Sequence, residues 1–182
     1  MKSSIPFILV FLGLTQFVSA QKLISKNGHI WFFSHTLVED IEAHNRQTVS
    51  ILDPATGTIQ FNLLIKSFEF QQKLMQEHFN ENYMESDAYP KATFTGNIDN
   101  FSQINFNSDG NYTVQVSGDL TIHGVTRQVV TSGVLIIRSG VVGVNAKFPV
   151  APKDYNIIIP DLVKENIANK VEVNVDVTYS TN

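Results

Sequence analysis

Cysteine is absent from the 182-residue chain, and its absence removes several chemistries at once. No disulfide can staple the fold, no thiolate can attack a substrate or bind zinc, and no lipid can be attached at an N-terminal cysteine. A domain of this length can be held by its apolar core alone. Charge is also sparse, at 16% of residues with a formal net of −4. The Lys and Arg residues are scattered and form no stripe, which argues against nucleic acid as a partner. Repeats, low-complexity tracts and Pro/Gly-rich linkers are missing too, so the chain reads as one domain. Nothing in the pattern sets an oligomeric state.

Long hydrophobic runs are missing with one exception. The start, MKSSIPFILVFLGLTQFVSA, has one early cation, Lys2, and an apolar run from Ile5 to Val18. It closes on Val18-Ser19-Ala20, small residues where a signal peptidase reads. The run is too short to span a bilayer comfortably, and a polar chain follows at once. Residues 1–20 are therefore read as a cleaved secretory signal. Residues 21–182 are read as the mature domain, periplasmic or secreted, with no stable membrane insertion.

What the chain has in plenty is period-two alternation. In 171–179, VEVNVDVTY, every odd position is apolar and every even one polar up to the closing tyrosine. That is a strand with one buried and one wet face. Residues 112–122 behave the same way, with Tyr112, Val114, Val116, Leu120 and Ile122 on one side. Further strands are expected at 28–34, 37–44, 47–52, 59–65, 91–98, 128–137 and 141–148. One segment differs. In 71–85, QQKLMQEHFNENYME, Leu74, Met75, Phe79 and Tyr83 recur at helical spacing, and a helix is expected to end before Tyr89-Pro90. A short helical turn is expected at 160–166, where Pro160 suits a helix start. Eight or nine strands and one helix describe a closed antiparallel sheet or a sandwich, and pattern alone does not separate the two.

The most polar short stretch is GDLTIHGVTR, Gly118 to Arg127. Alternation puts Asp119, Thr121 and His123 on the outer face, about 7 Å from one to the next. That is too far for a direct His–Asp hydrogen bond, and no nucleophile accompanies them. The stretch reads as a hairpin corner, with Gly124 supplying a positive φ, and no catalytic residue is assigned.

GDLTIHGVTRQV resembles the signature of the YceI-like family, exported bacterial proteins also called polyisoprenoid-binding. Tyr89-Pro90-Lys91-Ala92-Thr93-Phe94 resembles that family's YP-x-x-x-F segment, and the order of elements agrees over nearly the whole mature chain. The resemblance implies a mainly β fold: a single antiparallel lipocalin-like barrel of about eight strands with one main helix packed at it. It also implies an apolar tunnel for an isoprenoid or similar amphiphile, and no cofactor. Two segments depart from the family pattern. The RDxHL-type segment is replaced at 72–79 by QKLMQEHF, and the NRxx[FW]G segment at 151–157 by APKDYNI, so ligand identity does not carry over.

Thirteen of the residues are Phe, more rings than a small core needs. The candidate ligand-binding set is Trp31, Phe33, Phe61, Phe68, Phe70, Met75, Phe79, Tyr83 and Phe94, flat or flexible side chains that grip hydrocarbon without demanding a shape. The competing reading is a solidly packed barrel that serves as a protein-interaction module, since eight strands leave an interior that side chains can fill. His78 and Glu81 share a helix face but make too few ligands for a metal, so no metal site is assigned.

Overall fold

The computed structural model describes residues 21–179; the proposed signal segment lies outside them. Eight strands close on themselves in antiparallel order: β1 (Leu23–His35), β2 (Asp40–Leu52), β3 (Thr58–Leu64), β5 (Lys91–Ile98), β6 (Gly110–Ile122), β7 (Val125–Arg138), β8 (Val141–Val150) and β9 (Val171–Tyr179), which pairs back onto β1. The structure is thus a closed barrel and not a sandwich. A two-residue strand, β4 (Glu69–Phe70), continues β3 along β2 after the helical turn Ile65–Ser67. Closure leaves no long edge exposed.

The strands obey the alternation that predicts them. Along β9, Val175, Val177 and Tyr179 are buried while Asp176 and Thr178 are exposed. Of the stretches 37–44 and 47–52, expected as separate strands, 40–52 forms the single strand β2, paired with β1 from Asp40 to Leu52, and 37–39 lie in the tight turn before it. Two register shifts fall between Ser25 and Ile30, the first with its extra residue in β1 and the second with it in β2.

Helix α1 (Lys73–His78) runs directly into a π-helical turn, Phe79–Tyr83. Together they occupy the segment expected as one helix. The turn expected at 160–166 appears as a 3₁₀ turn, Asp161–Val163, directly preceded by Pro160.

Strand direction sorts the connections between the barrel's two ends. The turn 36–39, the segment 65–90 with α1, the turn 123–124 and the segment 151–170 share one end. The other end is packed solid by Leu52, Leu135, Ile137, Val114, Val177 and Tyr179, all nearly inaccessible. There the Tyr179 hydroxyl lies 2.6 Å from Ser50 Oγ, which donates to the Gln60 carbonyl at 2.9 Å. Since that carbonyl only accepts, Ser50 spends its proton on it and Tyr179 is the donor to Ser50.

Candidate functional site

The open end is hollow. A cavity of about 470 Å³ begins at Ile30, Ile59, Val116, Val144 and Val175, midway along the barrel. It rises between Phe32, Phe61, Phe94, Phe148 and Val173, and is covered by the loop and helix residues Phe68, Phe70, Leu74, Met75, Phe79 and Tyr83. Ile157, Ile159, Val163 and Ile167 close it on the other side. The volume lies within the range of small-molecule sites.

The cover is an aromatic cluster. Phe79 sits among Phe70, Phe32 and Phe68, with ring centroids 5.0, 5.6 and 5.6 Å away. These offset and tilted contacts are favourable for aromatic pairs. The π turn widens the helix just where Phe79 must face inward, with Met84 N–H donating to the Phe79 carbonyl at 2.9 Å.

Of the expected ligand-binding set, Phe61, Phe68, Phe70, Met75, Phe79, Tyr83 and Phe94 line this cavity. Trp31 and Phe33 do not. The inward positions of β1 are Ile30, Phe32 and Ser34. Trp31 stacks instead on the outer wall against His29, centroids 4.4 Å apart, and Phe33 stacks on His35 at 6.1 Å. His29 Nε2 and His44 Nδ1 meet at 3.0 Å beside Trp31. Burial, then the Arg46 guanidinium and His44, lower the pKa of His29. The signal was present in the chain: odd positions 29 and 35 are histidines, which mark the wet face.

The polar hairpin is a latch at the rim of the same end. His123 and Gly124 both have positive φ, 51° and 72°, the geometry of a tight two-residue hairpin turn. His123 is not on the outside as alternation suggests. It is 8% exposed, and its Nδ1 donates to the Tyr155 carbonyl at 3.2 Å while Nε2 lies 2.8 Å from Glu85 Oε2. Tyr89 packs against its ring. The turn lifts the side chain out of the strand's alternation, and the loops on either side then cover it. Arg127 Nε donates to the Asp154 carbonyl at 2.9 Å. The hairpin thereby ties the 85–90 and 151–156 segments to the barrel. Gly118 is required for a different reason: a Cβ there would come within 2.4 Å of the Thr95 carbonyl oxygen.

Beside the expected Tyr83, the polar end of the cavity is formed by Ser34, Glu39 and Asn166, which sequence reasoning missed. Asn166 Nδ2 donates to Glu39 Oε2 at 2.8 Å, and Ser34 Oγ accepts from Ala168 N–H at 2.9 Å. Burial, then the Glu39 carboxylate, push the Tyr83 phenol's pKa up. These residues stand far apart in the chain, so no spacing announces them. Among the described residues no three His, Asp or Glu side chains converge as metal ligands, and no helix is long and apolar enough to cross a membrane.

A closed antiparallel barrel, hollow at one end beneath a helix, defines a lipocalin-like cavity protein. The YceI-like domain model matches residues 21–179, and the chain belongs to that family. Solved structures share the fold. A polyisoprenoid binding domain from Saccharophagus degradans, implicated in plant cell wall breakdown, superposes with a TM-score of 0.76 at 16% identity, over 88% of this chain and 98% of that one. BcnA of Burkholderia cenocepacia gives 0.71 at 18% identity, over 84% and 96%. The YceI protein of Campylobacter jejuni gives 0.54 at 14% identity, over 99% and 94%. No curated protein matches the sequence.

Proposed function

We propose that this protein is an exported carrier that holds a lipophilic or amphipathic small molecule, such as an isoprenoid or fatty acid, inside the barrel. The observation that carries the reading is the cavity: eight strands leave room that side chains do not fill, and the lining is almost wholly apolar. Each 100 Å² of ligand hydrocarbon leaving water contributes about 2.5 kcal/mol before ordering costs. The mechanism is burial and calls for no reacting group, so the protein is read as a non-enzyme. Membership of the YceI-like family and the polyisoprenoid-binding name of one structural neighbour support the ligand class. The apolar run ending at Val18-Ser19-Ala20 supports export and a mature domain from Gln21.

Native mass spectrometry of the protein purified from its host tests this directly. A co-purifying lipid adds its own mass, and a mature chain should begin at Gln21. The rival reading, a solid barrel used as an interaction module, predicts a bare mass and no saturable uptake of any apolar probe. The cavity argues against that rival.

A further inference from the structure

The cavity is chemically lopsided. Its body is hydrocarbon, and among the residues lining it there is no Lys and no Arg. One carboxylate, Glu39, stands at the mouth, and the turn that carries it is fixed: Thr36 Oγ1 accepts the Glu39 N–H at 3.0 Å and the Val38 N–H at 3.2 Å. Glu39 Oε2 takes the Asn166 amide, and among the described residues no protein group bonds to Oε1. Ser34 is 1% exposed and uses its oxygen to accept from Ala168, which leaves its own proton unassigned. The Tyr83 hydroxyl has no protein partner among the described residues, and as a neutral phenol it can both donate and accept. The mouth therefore presents hydroxyls that serve any head and one fixed negative charge that does not.

An anionic head brought here would face Glu39 with no lining Lys or Arg to compensate. Like charges placed together in a partly desolvated site strongly oppose binding. A head that donates hydrogen bonds would meet Glu39 Oε1 and the Asn166 carbonyl as acceptors. We propose that the polar mouth formed by Ser34, Glu39, Tyr83 and Asn166 receives the ligand's head, and that this head is a hydrogen-bond donor without negative charge, a hydroxyl or a protonated amine, in preference to a phosphate or carboxylate. The proposal rests on the carrier reading and narrows its ligand class.

The test uses four amphiphiles with one shared hexadecyl chain: the alcohol, the amine, the carboxylate and the phosphate. Each competes with N-phenylnaphthylamine, an uncharged fluorescent probe, for the purified protein below its critical micelle concentration. The alcohol and the amine should displace the probe at concentrations about tenfold lower than the two anions. Comparing alcohol with amine then tells which donor is preferred. Glu39→Gln keeps an acceptor for Asn166 and should leave the melting temperature unchanged while it narrows the gap between amine and phosphate. Glu81→Gln, the same charge change on an exposed residue outside the lining, should leave the order intact. Equal displacement by all four, an order led by the anions, or a gap that survives Glu39→Gln would overturn the head-group assignment while leaving the carrier intact. If neither the probe nor any amphiphile binds saturably, the carrier reading itself falls, and this proposal falls with it.

Discussion

The ring of Tyr89 lies against the ring of His123, their centroids 4.3 Å apart, and the same tyrosine fills the space above Gly124. The two halves of the most recognisable sequence pattern, the YP segment and the GDLTIHG hairpin, are thus one contact. Their job in the fold is to hold the mouth of the barrel together.

His123→Ala removes the hydrogen bond to the Tyr155 carbonyl and the 2.8 Å contact with Glu85. It should cost about 2 kcal/mol, measured as a fall in urea midpoint at unchanged slope. Gly124→Val should cost more, because φ is 72° and a Cβ would lie 2.7 Å from Tyr89 Cε1. Neither change reaches the cavity, so saturable binding of N-phenylnaphthylamine should persist in both. Equal midpoints for wild type and His123→Ala would show that the latch contributes nothing.

Phe79 touches the rings of Phe32, Phe68 and Phe70 and also lines the cavity. Phe79→Ala loses core packing and should cost up to about 3–5 kcal/mol, so its effect on ligand is confounded. Phe79→Leu keeps the site apolar and nearly filled. It should shift affinity, or chain-length preference among fatty alcohols, several-fold with little change in melting temperature. Unaltered affinities and preferences would place the ligand away from the helix.

The outer and inner faces of β1 separate by substitution in the same way. Trp31→Ala should leave probe affinity unchanged, while Phe32→Ala should weaken it, since Phe32 and not Trp31 lines the cavity. The opposite result would mean that the strand's faces are exchanged. This pair also shows how far the sequence could be read. Strands and the one helix follow from local periodicity, which each segment carries in itself. Which face of β1 turns inward depends on its bulges and on the whole barrel, and two large aromatics outweighed the quieter signal of His29 and His35. His123 eluded alternation because turn residues leave the strand's period. The polar mouth was illegible for another reason: Ser34, Glu39, Tyr83 and Asn166 meet only once β1, the 36–39 turn, the π turn and the 160s loop are folded together.

The solid end of the barrel yields a prediction in alkali. Tyr179 is fully buried, and its pKa is pushed well above the usual phenol value by desolvation of the phenolate. The unfolded chain releases that proton near pH 10, whereas the folded chain holds it. The folded state therefore binds more protons than the unfolded state above pH 10, and stability must fall as pH rises through that range. Below pH 10 both states hold the proton, and the group's contribution is complete and constant. Tyr179→Phe deletes the titration and should cost about 1 kcal/mol at neutral pH, since Ser50 keeps its bond to the Gln60 carbonyl. Ser50→Ala should cost more, about 1–3 kcal/mol, because it leaves a buried phenol with no acceptor. Urea denaturation across the alkaline range should show wild type losing stability faster than Tyr179→Phe, so that the gap between them closes as pH rises. Parallel curves above pH 10 would mean that the phenol ionises as readily in the fold as out of it, and that the closed end admits water.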